Sequence, residues 1–133
     1  MQEIKYNRCF GCGSENPVGL KLDFASENTG SSAWFDSPSR YEGYDGVIHG
    51  GIIATLLDEA MAKEILARGL IAVTADLGIR YRNPLKVGTR VKVSGKITQQ
   101  KSRTIHASSV IEDEQGKIYA EATAVYIVVK RLI

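Results

Sequence analysis

Only one segment of this chain has a helical period, and almost everything after it has a strand period. That contrast limits the possible folds more than any other feature. Across residues 50–68, Ile53, Leu57, Ala60, Met61 and Ile65 recur at three- and four-residue steps, while Glu59, Lys63 and Glu64 take more polar positions. Gly69 then supplies a helix stop. From residue 71 to 129 the pattern becomes alternation: Val73, Ala75, Leu77, Ile79 and Tyr81 against Thr74, Asp76, Gly78, Arg80 and Arg82. Three more strands follow, broken by NPLKVG and EDEQG. A mostly apolar helix must be covered, and short connections favour antiparallel neighbours. The expected fold is therefore α+β, a curled antiparallel sheet of five or six strands around one long helix.

Upstream of the helix, LKLDF and SSAWF alternate on either side of ENTG and predict a short hairpin, and residues 36–48 predict a long loop that lines a site. The first nineteen residues show little periodicity and end in the turn signal NPVG, so a single domain over residues 1–133 with an irregular segment at 1–19 is expected. A chain of this length hides about two thirds of its unfolded surface without help from metals or disulfides. The final strand, YAEATAVYIVV, is apolar on both parities near its end, which predicts a second subunit against its outer face and hence a homodimer or homotetramer. A net charge of +2 is too small an excess to imply a nucleic acid partner. No long apolar run exists and none follows MQEIKYNR, so neither a membrane span nor a signal peptide is expected, and the expected location is cytoplasmic.

The chemistry concentrates in HGGIIATLLDEA, residues 49–60. Gly50 and Gly51 sit where a helix leaves backbone N–H groups free, which suits them to polarise a carbonyl gaining negative charge; they equally suit a tight turn beneath the sheet. Asp58 is a carboxylate in the apolar middle of the helix. It is read either as a general base or nucleophile, or as a solvent-facing or ion-paired side chain. At 1.5 Å rise per residue, Asp58 lies about 10 Å along the axis from Gly51, so one chain cannot place both on one carbonyl; two antiparallel helices across a dimer axis can. Glu59 points about 100° away and is expected to pair with Lys63. His49 positions the loop or assists a ligand carbonyl, or is a satisfied structural histidine, and Thr74 is either a surface residue or holds a water for Asp58. Cys9 and Cys12 in CFGCG leave three roles open: a thiol-bearing turn, half a metal site or a redox pair. With no second such pair, no metal is expected and catalysis is expected not to need them.

CFGCG, NPVGL at 16–20, HGG at 49–51, LLDEA at 56–60 and IRYRNPLKVG at 79–88 together resemble the PaaI-type acyl-CoA thioesterases of the hotdog superfamily, over nearly the whole chain. The resemblance implies hydrolysis of an acyl-CoA thioester to a free acid and coenzyme A, at a site on a subunit interface. Asp58 would be nucleophile or general base, Gly51 or Gly50 would polarise the carbonyl, and Thr74 would match a Ser or Thr that orients the carboxylate or water. Some members carry an Asn or Gln six residues before the histidine; here that position is Gly43. A hotdog hydratase or dehydratase and a non-enzymatic acyl-CoA sensor are the alternatives. No cofactor is expected beyond the coenzyme A of the substrate, whose phosphates are expected to meet Arg82, Lys86 and, less directly, Arg103.

Overall fold

The computed structural model describes residues 6–132. Its elements run β1 (Ala25–Glu27), β2 (Gly30–Phe35), a short 3-10 turn (Ser39–Tyr41), α1 (Gly50–Ala67), β3 (Leu70–Tyr81), β4 (Val91–Lys101), β5 (Thr104–Asp113) and β6 (Ile118–Arg131). All six strands form one antiparallel sheet in the order β1-β2-β4-β5-β6-β3. Because α1 intervenes between β2 and β3, β3 crosses to the far edge and pairs only with β6. The sheet curls around α1, whose Leu56, Leu57, Ala60 and Met61 are fully buried against Val91, Val93, Ile105, Ile111, Ala120 and Tyr126. Among the described residues no helix is long and apolar enough to cross a membrane.

Contact between helix and sheet is closest at Ala60 and Gly95. A methyl group at position 95 would lie 2.4 Å from the carbonyl carbon of Ala60, so β4 supports the helix directly on backbone. Gly95 shares the inward parity of Val91 and Val93, where a bulkier residue would lift α1 off the sheet and open voids around Leu57 and Met61.

Two expectations about this region change. The first strand of the hairpin is not LKLDF but the three residues that follow it. Lys21 takes a left-handed conformation (φ 52°), and the N–H groups of Leu20 and Leu22 donate to Phe10 and Gly11 rather than to a strand. The alternation in LKLDF therefore records burial of Leu20 and Leu22 under the N-terminal loop, not strand pairing. Glu64 is not on a polar face either. It follows Leu57 and Ala60 around the same stripe and is buried, and its Oε1 accepts from Ser26 (3.2 Å) and Ser31 (3.3 Å).

Candidate functional site

The mouth of α1 is capped by His49. The side chain folds back so that Nδ1 accepts from the Gly51 N–H at 2.8 Å, while the His49 carbonyl takes the Ile52 and Ile53 N–H groups. An accepting Nδ1 in a neutral imidazole leaves the proton on Nε2, as an outward-facing donor. Gly51 is thus not a free donor. A Cβ there would lie 3.0 Å from Nδ1, so its glycine is what admits the imidazole. Among the described residues the Gly50 N–H donates to nothing, and the Gly50 carbonyl accepts from the Tyr81 hydroxyl at 2.8 Å. Gly43 packs on the same histidine, its Cβ position 3.1 Å from the Cα of His49. The loop at 36–48 holds the cap in place by backbone bonds, His49 N–H to Tyr41 and Ile48 N–H to Leu85.

Two turns further along, Asp58 is held from the sheet. The Thr74 hydroxyl donates to its Oδ1 at 2.9 Å, and the Tyr126 hydroxyl lies 2.5 Å from the same oxygen and 3.0 Å from the Asp58 carbonyl. Both donors converge on Oδ1, and Oδ2 accepts no hydrogen bond among the described residues. Asp58 therefore does not point freely to solvent, and among the described residues it forms no ion pair with Lys or Arg. Tyr126 is fully buried, and that burial, reinforced by the Asp58 carboxylate, pushes its phenol far above the usual range. It is a permanent donor.

Strict alternation would turn Thr74 outward, with Asp76 and Arg80. A bulge between Thr74 and Asp76 resets the parity, so Thr74 lies opposite Tyr126 on the inner face with Leu77 and Ile79. The sequence reading missed Tyr126 altogether. Its signal was a hydroxyl on the otherwise apolar parity of Ala120, Ala122, Ala124 and Val128, where a buried phenol requires a partner. Tyr81 was likewise missed as a site residue.

The basic residues divide. Arg82 follows β3 beside the helix mouth, where an apolar cavity of about 330 Å³ is lined by Gly50, Ile53, Tyr81, Arg82 and Pro84. Its guanidinium pairs with Glu121 at 2.9 Å. Lys86 is exposed and sits on the bridge to Val47. Arg103 lies elsewhere: Arg82 N–H bonds to Tyr119 near the start of β6, and Val128 N–H near its end bonds to Arg103. Those anchors are about 30 Å apart along the strand, so within one chain the three residues do not converge.

Glu59 does not pair with Lys63. Its Oε1 accepts from the Cys9 thiol at 3.6 Å, and the donor atoms of Cys9, Cys12 and Glu59 all lie within 4.8 Å of one another. The Lys63 ammonium instead sits 3.8 Å from the ring centre of Tyr6. Burial, with the Glu59 carboxylate beside it, pushes the Cys12 thiol up to about 12, which keeps it a poor nucleophile at neutral pH.

The thioesterase superfamily family model matches residues 45–120, more than half of the chain, from the loop before His49 through the start of β6. The acyl-coenzyme A thioesterase THEM4 of Mus musculus is 31% identical over 94 residues, 70% of this chain, which spans only 40% of that relative's length. Among solved structures, smu.793 from Streptococcus mutans UA159 bound to acetyl CoA superposes with a TM-score of 0.80 at 23% identity, covering 90% of this chain and 97% of that one. The PaaI protein from the phenylacetic acid degradation operon of E. coli superposes at 0.79 and 22%, covering 86% and 83%. A helix wrapped by six antiparallel strands is the hotdog architecture, and with the match across residues 45–120 it follows that this chain belongs to the thioesterase superfamily.

Proposed function

We propose that the chain hydrolyses an acyl-CoA thioester to a free carboxylic acid and coenzyme A, using Asp58 as the reacting carboxylate. The observation that carries this reading is the grip on Asp58: two hydroxyls fix Oδ1 and leave Oδ2 as the group with an unused lone pair. Oδ2 can take a proton from water as the water oxygen adds to the thioester carbon, or it can add to that carbon itself. In either route the carbonyl oxygen gains negative charge and needs a preorganised donor. With Gly51 bonded to His49, the Gly50 N–H fills that role, and His49 Nε2–H would stand in for the amide that some members carry at the position of Gly43. The C–S bond then breaks. In the water route the departing thiolate takes the proton held by the Asp58 carboxylic acid. In the other it takes one from water and leaves a mixed anhydride on Asp58, which a further water cleaves to the free acid and the carboxylate.

Gly50 and Asp58 are about 12 Å apart along one helix, too far to share a carbonyl. The reading therefore includes a homodimer in which the mouth of one α1 meets the Asp58 of the other. β3 supports it: this strand is twelve residues long, lies at the sheet edge, and leaves Val73 and Tyr81 more than half exposed, an open ladder suited to the same strand of a second copy. Lys86, and Arg82 once released from Glu121, would meet the coenzyme A phosphates at the mouth, with Arg103 at the other end of β6 reaching only a partner's site.

The test is a thiol-release screen over straight-chain and aromatic acyl-CoA substrates with both products weighed by mass spectrometry. Free coenzyme A and acid in equal amounts are expected. Water added to an unsaturated acyl chain with the thioester intact would replace the reading with a hydratase, and binding without turnover would replace it with a sensor.

A further inference from the structure

Apart from the reaction at Asp58, we infer that Cys9, Cys12 and Glu59 form a binding site for a thiophilic divalent cation, zinc above all, that fastens the N-terminal loop to α1. The three donors come from two separate stretches of chain, and their arrangement matches coordination geometry. Zinc–sulfur and zinc–oxygen bonds of about 2.3 and 2.0 Å at a tetrahedral angle separate the two ligand atoms by about 3.5 Å, and Cys9 Sγ lies 3.6 Å from Glu59 Oε1. With Cys12 Sγ, all three donors fall within 4.8 Å of each other.

The loop is shaped to hold them there. Gly13 N–H donates to the Cys9 carbonyl at 2.8 Å, closing the turn that brings the two thiols together. A Cβ on Gly11 would lie 2.6 Å from Glu59 Oε2, and one on Gly13 would lie 2.4 Å from the Asn7 carbonyl, so Gly11 lets the backbone close on the carboxylate and Gly13 lets the loop close on itself. Leu20 and Leu22 N–H groups bond back to Phe10 and Gly11, which anchors the far side of the loop independently of the donors.

Binding exchanges two thiol protons for the cation. Two thiolates and one carboxylate carry three negative charges against two positive, and Lys63, which lines a cavity of about 470 Å³ together with Cys12 and Tyr6, offsets the excess. That cavity also gives a path in, and a water on the fourth position completes the tetrahedron. Thiolate donors select zinc or cobalt over magnesium and calcium.

Cobalt is the direct probe. Reduced full-length protein titrated with Co²⁺ under anaerobic conditions is expected to saturate at one equivalent per chain. The expected spectrum has sulfur-to-cobalt charge-transfer absorption in the near ultraviolet and the intense visible bands of tetrahedral cobalt, all removed by one equivalent of Zn²⁺. Cys9→Ser with Cys12→Ser should abolish the charge-transfer bands, and Glu59→Gln should weaken Zn²⁺ binding by about tenfold or more. Failure of the reduced wild-type protein to develop charge-transfer absorption overturns the inference without recourse to any variant, as do bands that persist after both cysteines are replaced.

Discussion

Asp58 and Glu59 are consecutive carboxylates on the same helix, yet they meet opposite chemistry. Asp58 turns toward β3 and β6 and is held by two hydroxyls, whereas Glu59 turns toward the N-terminal loop and is held among thiols. The 100° step between adjacent helical residues accounts for the separation. A side chain's surroundings are set by the element it faces, so two residues of like charge at neighbouring positions are held by hydroxyls in one case and by a thiol in the other.

The largest expected effect sharpens that contrast. Asp58→Asn keeps the shape but removes the proton acceptor, and should lower kcat by roughly 100-fold or more with KM little changed. Glu59→Gln should leave kcat within about threefold at 25 °C. Steady-state kinetics on the best acyl-CoA, with the oligomeric state and circular dichroism of each variant matched to the parent, decide it. Equal losses at both positions would erase the distinction.

Removing the donors to Asp58 comes next. Tyr126→Phe leaves Oδ1 with Thr74 alone, and the loss of a hydrogen bond to a charged group, about 1.5–3 kcal/mol, corresponds to roughly 10-fold or more in kcat if the bond orients the reacting carboxylate. The same variant has a spectroscopic readout. Because the Tyr126 phenol is raised in the folded chain, its neutral form favours folding; stability is intact below the ordinary phenol range and declines as pH rises above it. An ultraviolet titration should show a late tyrosinate phase that shrinks in Tyr126→Phe. Thr74→Ala should cost less, about fivefold in kcat. Thr74→Ser should restore it, since Ser keeps the hydroxyl; if Ser does no better than Ala, Thr74 acts through packing rather than through Oδ1.

The smallest effect separates the two glycines at the mouth. Gly51→Ala pushes on the capping imidazole and should lower stability by about 1 kcal/mol. Gly50→Ala, whose methyl meets only the Tyr81 ring at 3.7 Å, should be neutral or slightly stabilising. Denaturant melts of the two variants test this, and a reversed order would mean that the His49 cap contributes little.

The fold was largely legible because periodicity reports burial. The helix was expected from residue 50 and runs Gly50–Ala67, and the four long strands after it follow from alternation against turn signals. Alternation failed in LKLDF, where the same signal arose from two leucines buried under a loop. The position of Asp58 in an apolar stretch marked it from the sequence, and the resemblance offered Thr74 as a residue that orients it, but Tyr126 was hidden. Tyr126 is separated from it by 68 residues, and Thr74 reaches it only because a bulge resets the parity of β3.

The sequence by itself determined which segment is the core helix, how many long strands wrap it, and that a carboxylate interrupts its apolar run, because these depend on local spacing along one element. Tertiary structure alone decided that Thr74 turns inward, that the Gly51 N–H is taken by His49, that Arg103 stands apart from Arg82 and Lys86, and that Glu59 joins the two cysteines. Each of those depends on strand register, on a cap conformation or on the meeting of elements distant in the chain, and none of these leaves a period in the sequence.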